Sequence, residues 1–156
     1  MANSAGSVAV VYFDSSAFVK LVVEEDGSGL AAELWDGCDT PISSILAYPE
    51  VRAALAAARR NRSLSAKGYA SALGFWEEFW AAVRPIGLSA DVAWSAGDLA
   101  EAHALTGGDA IHLASAVAVG TALTADRSEL VVAVWDRRLH GGAVAAGLAV
   151  CPASIP

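Results

Sequence analysis

The stretch Val8-Ala9-Val10-Val11-Tyr12-Phe13-Asp14-Ser15-Ser16 sets six apolar residues in a row ahead of an acid and two hydroxyls. A run of that length with no polar alternation reads as a strand buried on both faces. Leu130-Val131-Val132-Ala133-Val134-Trp135-Asp136 repeats the pattern near the other end of the chain. Both runs stop at an aspartate. Shorter strand candidates lie over 39–42, 83–88 and 148–151, where Pro41, Pro85 and Pro152 suit sheet edges or strand ends. Between them, helical patterns cover 16–25, 28–35, 44–61, 65–82, 89–104, 109 to about 119, and 136–146. Val51, Leu55 and Ala58 form one apolar stripe in the third helix, Gly107-Gly108 is expected to end the fifth, and Gly147 the last. Strands alternating with helices predict an α/β fold, with a mostly parallel sheet covered on both faces.

A chain of 156 residues fits a single domain, 1–156. With 55% hydrophobic and 17% charged residues, it has enough apolar surface to exclude a disordered linker or acidic tail. The longest uncharged, proline-free stretch, 110–125, is interrupted by His112 and Gly120 and is too short to span a bilayer, so no membrane segment is expected. No Lys or Arg precedes Val8, so no secretory leader is expected and the cytosol is the default compartment. Cys38 and Cys151 match no metal or redox spacing and are expected to be inert thiols. A net charge of −7 argues against coating of nucleic acid by the overall field and leaves room for a local basic path.

The carboxylates carry the chemistry. Asp14 and Asp136 follow the two long strands, at the sheet edge where ligands bind in open α/β folds. If those strands are neighbours, their terminal acids converge. Asp109 is expected to open a helix after the glycine pair, and Glu50 interrupts an alanine-rich helix. Each has a plainer reading as a cap, turn or solvated helix position. Gathered together they would repel, a unit pair at about 4 Å costing on the order of 4 kcal/mol at an effective dielectric of 20. Shared protonation or a hard divalent cation would compensate, and an oxygen-only donor set suits Mg²⁺ or Mn²⁺. Such a site activates water and neutralises charge on a phosphodiester.

Taken in order, four segments resemble the PIN-domain ribonucleases, and among them the VapC toxins of bacterial toxin–antitoxin pairs. Tyr12-Phe13-Asp14-Ser15-Ser16-Ala17-Phe18-Val19-Lys20-Leu21 is similar to the opening motif, and Ser43-Ser44-Ile45 through Pro49-Glu50-Val51 to the second. Asp109-Ala110-Ile111-His112-Leu113-Ala114-Ser115-Ala116 resembles the third, and Val134-Trp135-Asp136-Arg137-Arg138-Leu139 the closing one. The resemblance implies a three-layer α/β/α sandwich with a five-stranded sheet and a Mg²⁺- or Mn²⁺-dependent endoribonuclease. It further implies Asp14, Glu50, Asp109 and Asp136 as the catalytic, metal-holding residues, and a homodimer neutralised by a small VapB-like antitoxin. Two positions depart from the family pattern. Thr106 replaces an arginine common three residues before the third acid, and Val134 a threonine common two before the last.

Other residues have competing roles. His112 shares a helix face with Asp109, but as an imidazole beside an oxygen-donor site it is expected to be a packing residue. His103 and His140 are expected at the surface. Asp126 rivals Asp136 for the fourth carboxylate, but it precedes the last long strand and belongs at the opposite sheet end. Phe75, Trp76, Phe79 and Trp80 on one helix could stack on bases, although a buried face or subunit interface suits them better beside Glu77 and Glu78. Arg52, Arg59, Arg60 and Arg62, with Arg137 and Arg138, are candidate RNA contacts; the first four could equally be a solvated helix end. Two other function classes remain open: a noncatalytic module gripping an arginine of its partner, and a receiver-type phosphoacceptor. The latter needs a lysine after its last strand, whereas the only lysines are Lys20 and Lys67.

Overall fold

The computed structural model describes residues 9–125 and 130–156. Its centre is β1 (Val10–Phe13), flanked by β2 (Thr40–Ser44) on one side and by β4 (Leu130–Ala133) on the other. β3 (Arg84–Ile86) and β5 (Ala149–Cys151) form the edges, giving a five-stranded sheet of order β3-β2-β1-β4-β5 with every pairing parallel. The two long apolar runs are therefore neighbours, in register from Val10↔Leu130 to Phe13↔Ala133.

Alternation along the central strands divides the interior in two. Val10, Tyr12, Ile42, Leu130 and Val132 pack on one face with Leu105, Leu113 and Leu139. That face is covered by α5 (Ala90–His103), α6 (Gly107–Ala125) and α7 (Arg137–Ala145). On the other face Val11, Phe13 and Ala133 pack with Phe18, Val51, Leu55 and Trp76. Those residues come from α1 (Ser15–Val22), α3 (Ala47–Arg60) and α4 (Ala66–Ala82), with α2 (Ser28–Asp36) alongside. The result is the α/β/α sandwich that the resemblance implies. Among the described residues no helix is long and apolar enough to cross a membrane. Cys38 and Cys151 are free thiols.

Several expectations need correction. Pro41 lies within an interior strand: Thr40 N–H donates to Ala9 O toward β1, so alternation turns the Pro41 nitrogen the other way. Pairing with β3 begins only at Ile42, so no ladder bond is lost there. The third helix starts at Ala47 rather than Ser44, and Pro49 occupies its first turn, where a missing N–H costs nothing. Gly107-Gly108 do not end α5. The chain turns at Ala104, whose φ of 52° is left-handed, and the two glycines open α6. β4 stops at Ala133, opposite Phe13 at the end of β1, rather than running on to Trp135. Val8 and Asp126 lie outside the described residues. The aromatic group on α4 is mostly packing: Trp76 is fully buried with its ring 4.9 Å from Phe18, and Phe79 stands 4.9 Å from Trp35, while Phe75 is exposed.

Candidate active site

An all-parallel sheet sends every strand out at the same edge, and the helix starts that follow β1, β2 and β4 gather there. Asp14 is the N-cap of α1, buried, with Oδ1 accepting from Ala17 N–H at 2.9 Å and from the Ser16 hydroxyl at 2.6 Å. Ser16 Oγ in turn accepts from Trp135 N–H at 2.9 Å. One serine thus ties the end of β1 to the residue before Asp136. Asp136 is the exposed N-cap of α7, its Oδ1 accepting from Leu139 N–H at 2.9 Å. Both aspartates are caps, as their plainer readings have it, and the capping holds each carboxylate at the sheet edge.

Glu50 sits in the first turn of α3, half-buried. Its Oε1 accepts from the Ser15 hydroxyl at 2.7 Å and lies 2.6 Å from His112 Nε2. Its Oε2 lies 3.2 Å from the point a Cβ on Gly108 would occupy, so the glycine leaves that oxygen room against the start of α6. Asp109 is in the first turn of α6, with its N–H donating to Thr106 Oγ1 at 3.3 Å. Thr106, not Asp109, therefore caps this helix; the Thr-x-x-Asp spacing carries that signal in the sequence. Val134 is fully buried in the core beneath α6 and α7.

The electrostatics join the acids. Burial, with a smaller push from Asp136, brings the Asp14 carboxyl up to about 6 against the opposing influence of His112 and the hydrogen bonds of Ser16 and Ala17. Asp109 is also raised, first by burial and then by Asp136 and Glu50. Burial acts on Glu50 in the same sense, but the hydrogen bonds from His112 and Ser15 prevail and its carboxyl ends below the ordinary range. Asp136 thus acts on both Asp14 and Asp109, and Glu50 on Asp109. Among the described residues none of them is paired with a Lys or Arg, and no three His, Cys, Asp or Glu side chains close into a ready-made ligand cage. Lys20 is engaged by Glu25 Oε1 at 3.0 Å and Asp26 O at 2.6 Å, which supplies nothing a receiver domain would need.

Other candidates separate. Arg52 bonds to Tyr48 Oη at 2.9 Å and Glu77 Oε1 at 3.2 Å on the outer surface. Arg59 and Arg60 occupy the last turn of α3 and Arg62 follows it, so the helix carries them about 14 Å or more from Glu50. Arg137 and Arg138 stay exposed beside Asp136, and Arg137 donates to the Pro156 carbonyl. His103 and His140 are partly buried rather than fully at the surface. His112 is more than packing: it is buried, with Nδ1 2.7 Å from Tyr12 Oη and Nε2 on Glu50. Tyr12, Ser15 and Ser16 are site residues that motif reading passes over.

The PIN domain family matches residues 11–133 of the chain. Ribonuclease VapC49 of Mycobacterium tuberculosis is 62% identical over 146 residues, covering 94% of this chain and 97% of that protein. Among solved structures, M. tuberculosis VapC20, a sarcin–ricin loop cleaving toxin, superposes with a TM-score of 0.61 at 18% identity over 94% of this chain and 99% of its own. A toxin–antitoxin complex from Klebsiella pneumoniae gives a TM-score of 0.59 at 19% identity, over 94% and 99% of the respective chains. The two structures share the fold described above.

Proposed function

The chain belongs to the PIN-domain family, among its VapC-type endoribonucleases, and from that premise we propose that it hydrolyses RNA phosphodiester bonds with a divalent cation, as the toxin of a toxin–antitoxin pair. The observation that supports the metal dependence is that burial, reinforced by Asp136, raises the Asp14 and Asp109 carboxyls with no Lys or Arg paired to them among the described residues. Oxygen donors under mutual repulsion fit a hard ion, Mg²⁺ or Mn²⁺, better than a soft one. Asp14, Asp109 and Asp136 would hold it, and Glu50 completes the acidic shell. Such an ion neutralises charge on the phosphodiester and makes water a competent nucleophile.

The protein's own contribution is positioning. Ser16 and the Ala17 amide hold Asp14, the Leu139 amide holds Asp136, and Ser15 with His112 holds Glu50. Preset geometry of this kind lowers the ordering cost of the reaction. Arg137 and Arg138, at the rim beside Asp136, are the arginines best placed to meet backbone phosphates. A cytosolic site of action follows from an RNA substrate. The VapC relatives support a VapB-like antitoxin as partner. Leu88 and Trp94, 50% and 71% exposed, support association of two copies into a homodimer.

Sequencing of RNA ends after expression of the wild type and of Asp14→Asn tests this reading. New 5′ ends should appear with the wild type and be absent with the variant, and purified protein should lose cleavage on chelation and regain it with Mg²⁺ or Mn²⁺. Equal cleavage by both proteins, or cleavage indifferent to chelator, defeats the proposal.

A further inference from the structure

We infer that His112 is a positioning residue for Glu50, the last link of a hydrogen-bond chain that starts at the backbone of β2 and fixes that carboxylate against the start of α6. The inference rests on the divalent-ion reading above and assigns a part of that site to residues outside the acidic set.

The direction of the chain follows from counting protons. Ser44 N–H donates to Tyr12 Oη at 3.1 Å. With that amide donating to its oxygen, the Tyr12 hydroxyl has its single proton to give, and His112 Nδ1 stands 2.7 Å away to accept it. Nδ1 is then the acceptor, which leaves the ring hydrogen on Nε2. Nε2–H points to Glu50 Oε1 at 2.6 Å, and the Ser15 hydroxyl donates to the same oxygen at 2.7 Å. Two donors on Oε1 select one rotamer of the glutamate. They leave Oε2 as the oxygen beside Gly108, where a side chain would crowd it at 3.2 Å.

The imidazole is itself held. Tyr12 and His112 are buried at 0% and 2% exposure, with ring planes at 83° and centroids 5.9 Å apart. Tyr12 is anchored in the central strand and His112 in α6, so the orientation of Glu50 is referred to the sheet and not to α3 alone. A half-buried glutamate without this chain would have to be ordered by the ion. Partners of this kind, one bond removed from the ion, are typically worth 10–100-fold in metal affinity.

Two measurements test the inference. Nitrogen-15 NMR of wild-type protein at pH 7.5 without metal should show the His112 proton on Nε2 and none on Nδ1; a proton on Nδ1, or on both nitrogens, overturns it. Calorimetric titration with Mn²⁺ should show His112→Leu weakened roughly 10–100-fold. His112→Gln, whose amide nitrogen takes the place of Nε2, should stay within about threefold of wild type. Wild-type affinity in a folded His112→Leu protein overturns the inference. If that variant does not fold, Tyr12→Phe carries the same test, with an expected loss of about tenfold. Asp14→Asn separates the two levels of argument. Equal Mn²⁺ binding by wild type and Asp14→Asn defeats the ion site itself, whereas a clear difference there with no effect at His112 defeats only the positioning role.

Discussion

Asp14 and Asp136 cap two helices that leave adjacent parallel strands, each through Oδ1 on a backbone amide at 2.9 Å, from Ala17 and Leu139 respectively. The β1–β4 register ends at Phe13↔Ala133, and Ser16 bridges from Asp14 to the Trp135 amide, so the two caps share one edge of the sheet. Capping and ion holding are compatible because they use a carboxylate differently: a cap needs one oxygen as acceptor, whereas an ion needs the negative charge.

That division separates folding from activity at Asp14. Asparagine caps about as well as aspartate, whereas alanine costs about 1 kcal/mol. Asp14→Asn should melt no lower than wild type and cleave no RNA, and Asp14→Ala should lose both activity and stability. Thermal melts alongside cleavage assays check this; a Tm of Asp14→Asn as low as that of Asp14→Ala contradicts the capping role.

Charge on Asp14 is a cost to the fold. Its folded carboxyl is pushed up to about 6, above the unfolded value, so the folded protein holds a proton that the unfolded chain releases. The associated stability is present at acid pH and is lost as pH rises through about 6, on the order of 3 kcal/mol in total. Without divalent ions, the difference in unfolding free energy between wild type and Asp14→Asn should therefore move against the wild type between about pH 4 and pH 7. Millimolar Mg²⁺ at pH 7.5 should restore the wild type and leave the variant unaffected. Denaturant titrations across pH measure both effects.

Thr106 stands where arginine is common, and here it serves α6. Its hydroxyl accepts the Asp109 amide, and its hydrogen bond holds the Asp109 carboxyl down against burial and the neighbouring acids. Thr106→Val should cost about 1 kcal/mol. It should also move the acid limb of the cleavage profile to higher pH, since Asp109 then loses its proton later. Thr106→Ser should restore both, and a pH–rate profile with parallel melts decides the matter.

The arginines divide by position. Arg137→Ala with Arg138→Ala should weaken RNA binding and flatten its dependence on salt, by about 0.7 in the log–log slope for each phosphate no longer neutralised. Replacing Arg59, Arg60 and Arg62 together should leave both within about twofold, because α3 carries them to its far end. Fluorescence binding at several salt concentrations distinguishes the two sets.

Much of the fold is legible because burial on both faces leaves a local mark. Val10 to Phe13 and Leu130 to Ala133 read as central strands from their unbroken apolar character. The misreadings involve residues whose meaning depends on what lies beside them. Pro41 is harmless in an interior strand only because its nitrogen faces a flank that is not yet paired. The glycine pair at 107–108 resembles a helix stop, yet the turn is made at Ala104 and Gly108 makes room for Glu50. Pro49 marks the first turn of α3, whereas Ser44, where the helical pattern begins in the sequence, belongs to β2.

By itself the amino-acid sequence determined the strands, the helices and the acids that follow them, because backbone preference and solvent exclusion act on neighbouring residues. Four motifs in order were enough to name the family. Only the tertiary structure decided that Asp14 and Asp136 stand on adjacent strands, that Arg59 and its neighbours sit at the far end of α3, and that His112 serves Glu50. Tyr12 and His112 are 100 positions apart and His112 and Glu50 are 62 apart. Hydrogen bonds and charge coupling act over a few ångströms in space, and no periodicity along the chain encodes a distance that the packing of sheet against helix creates.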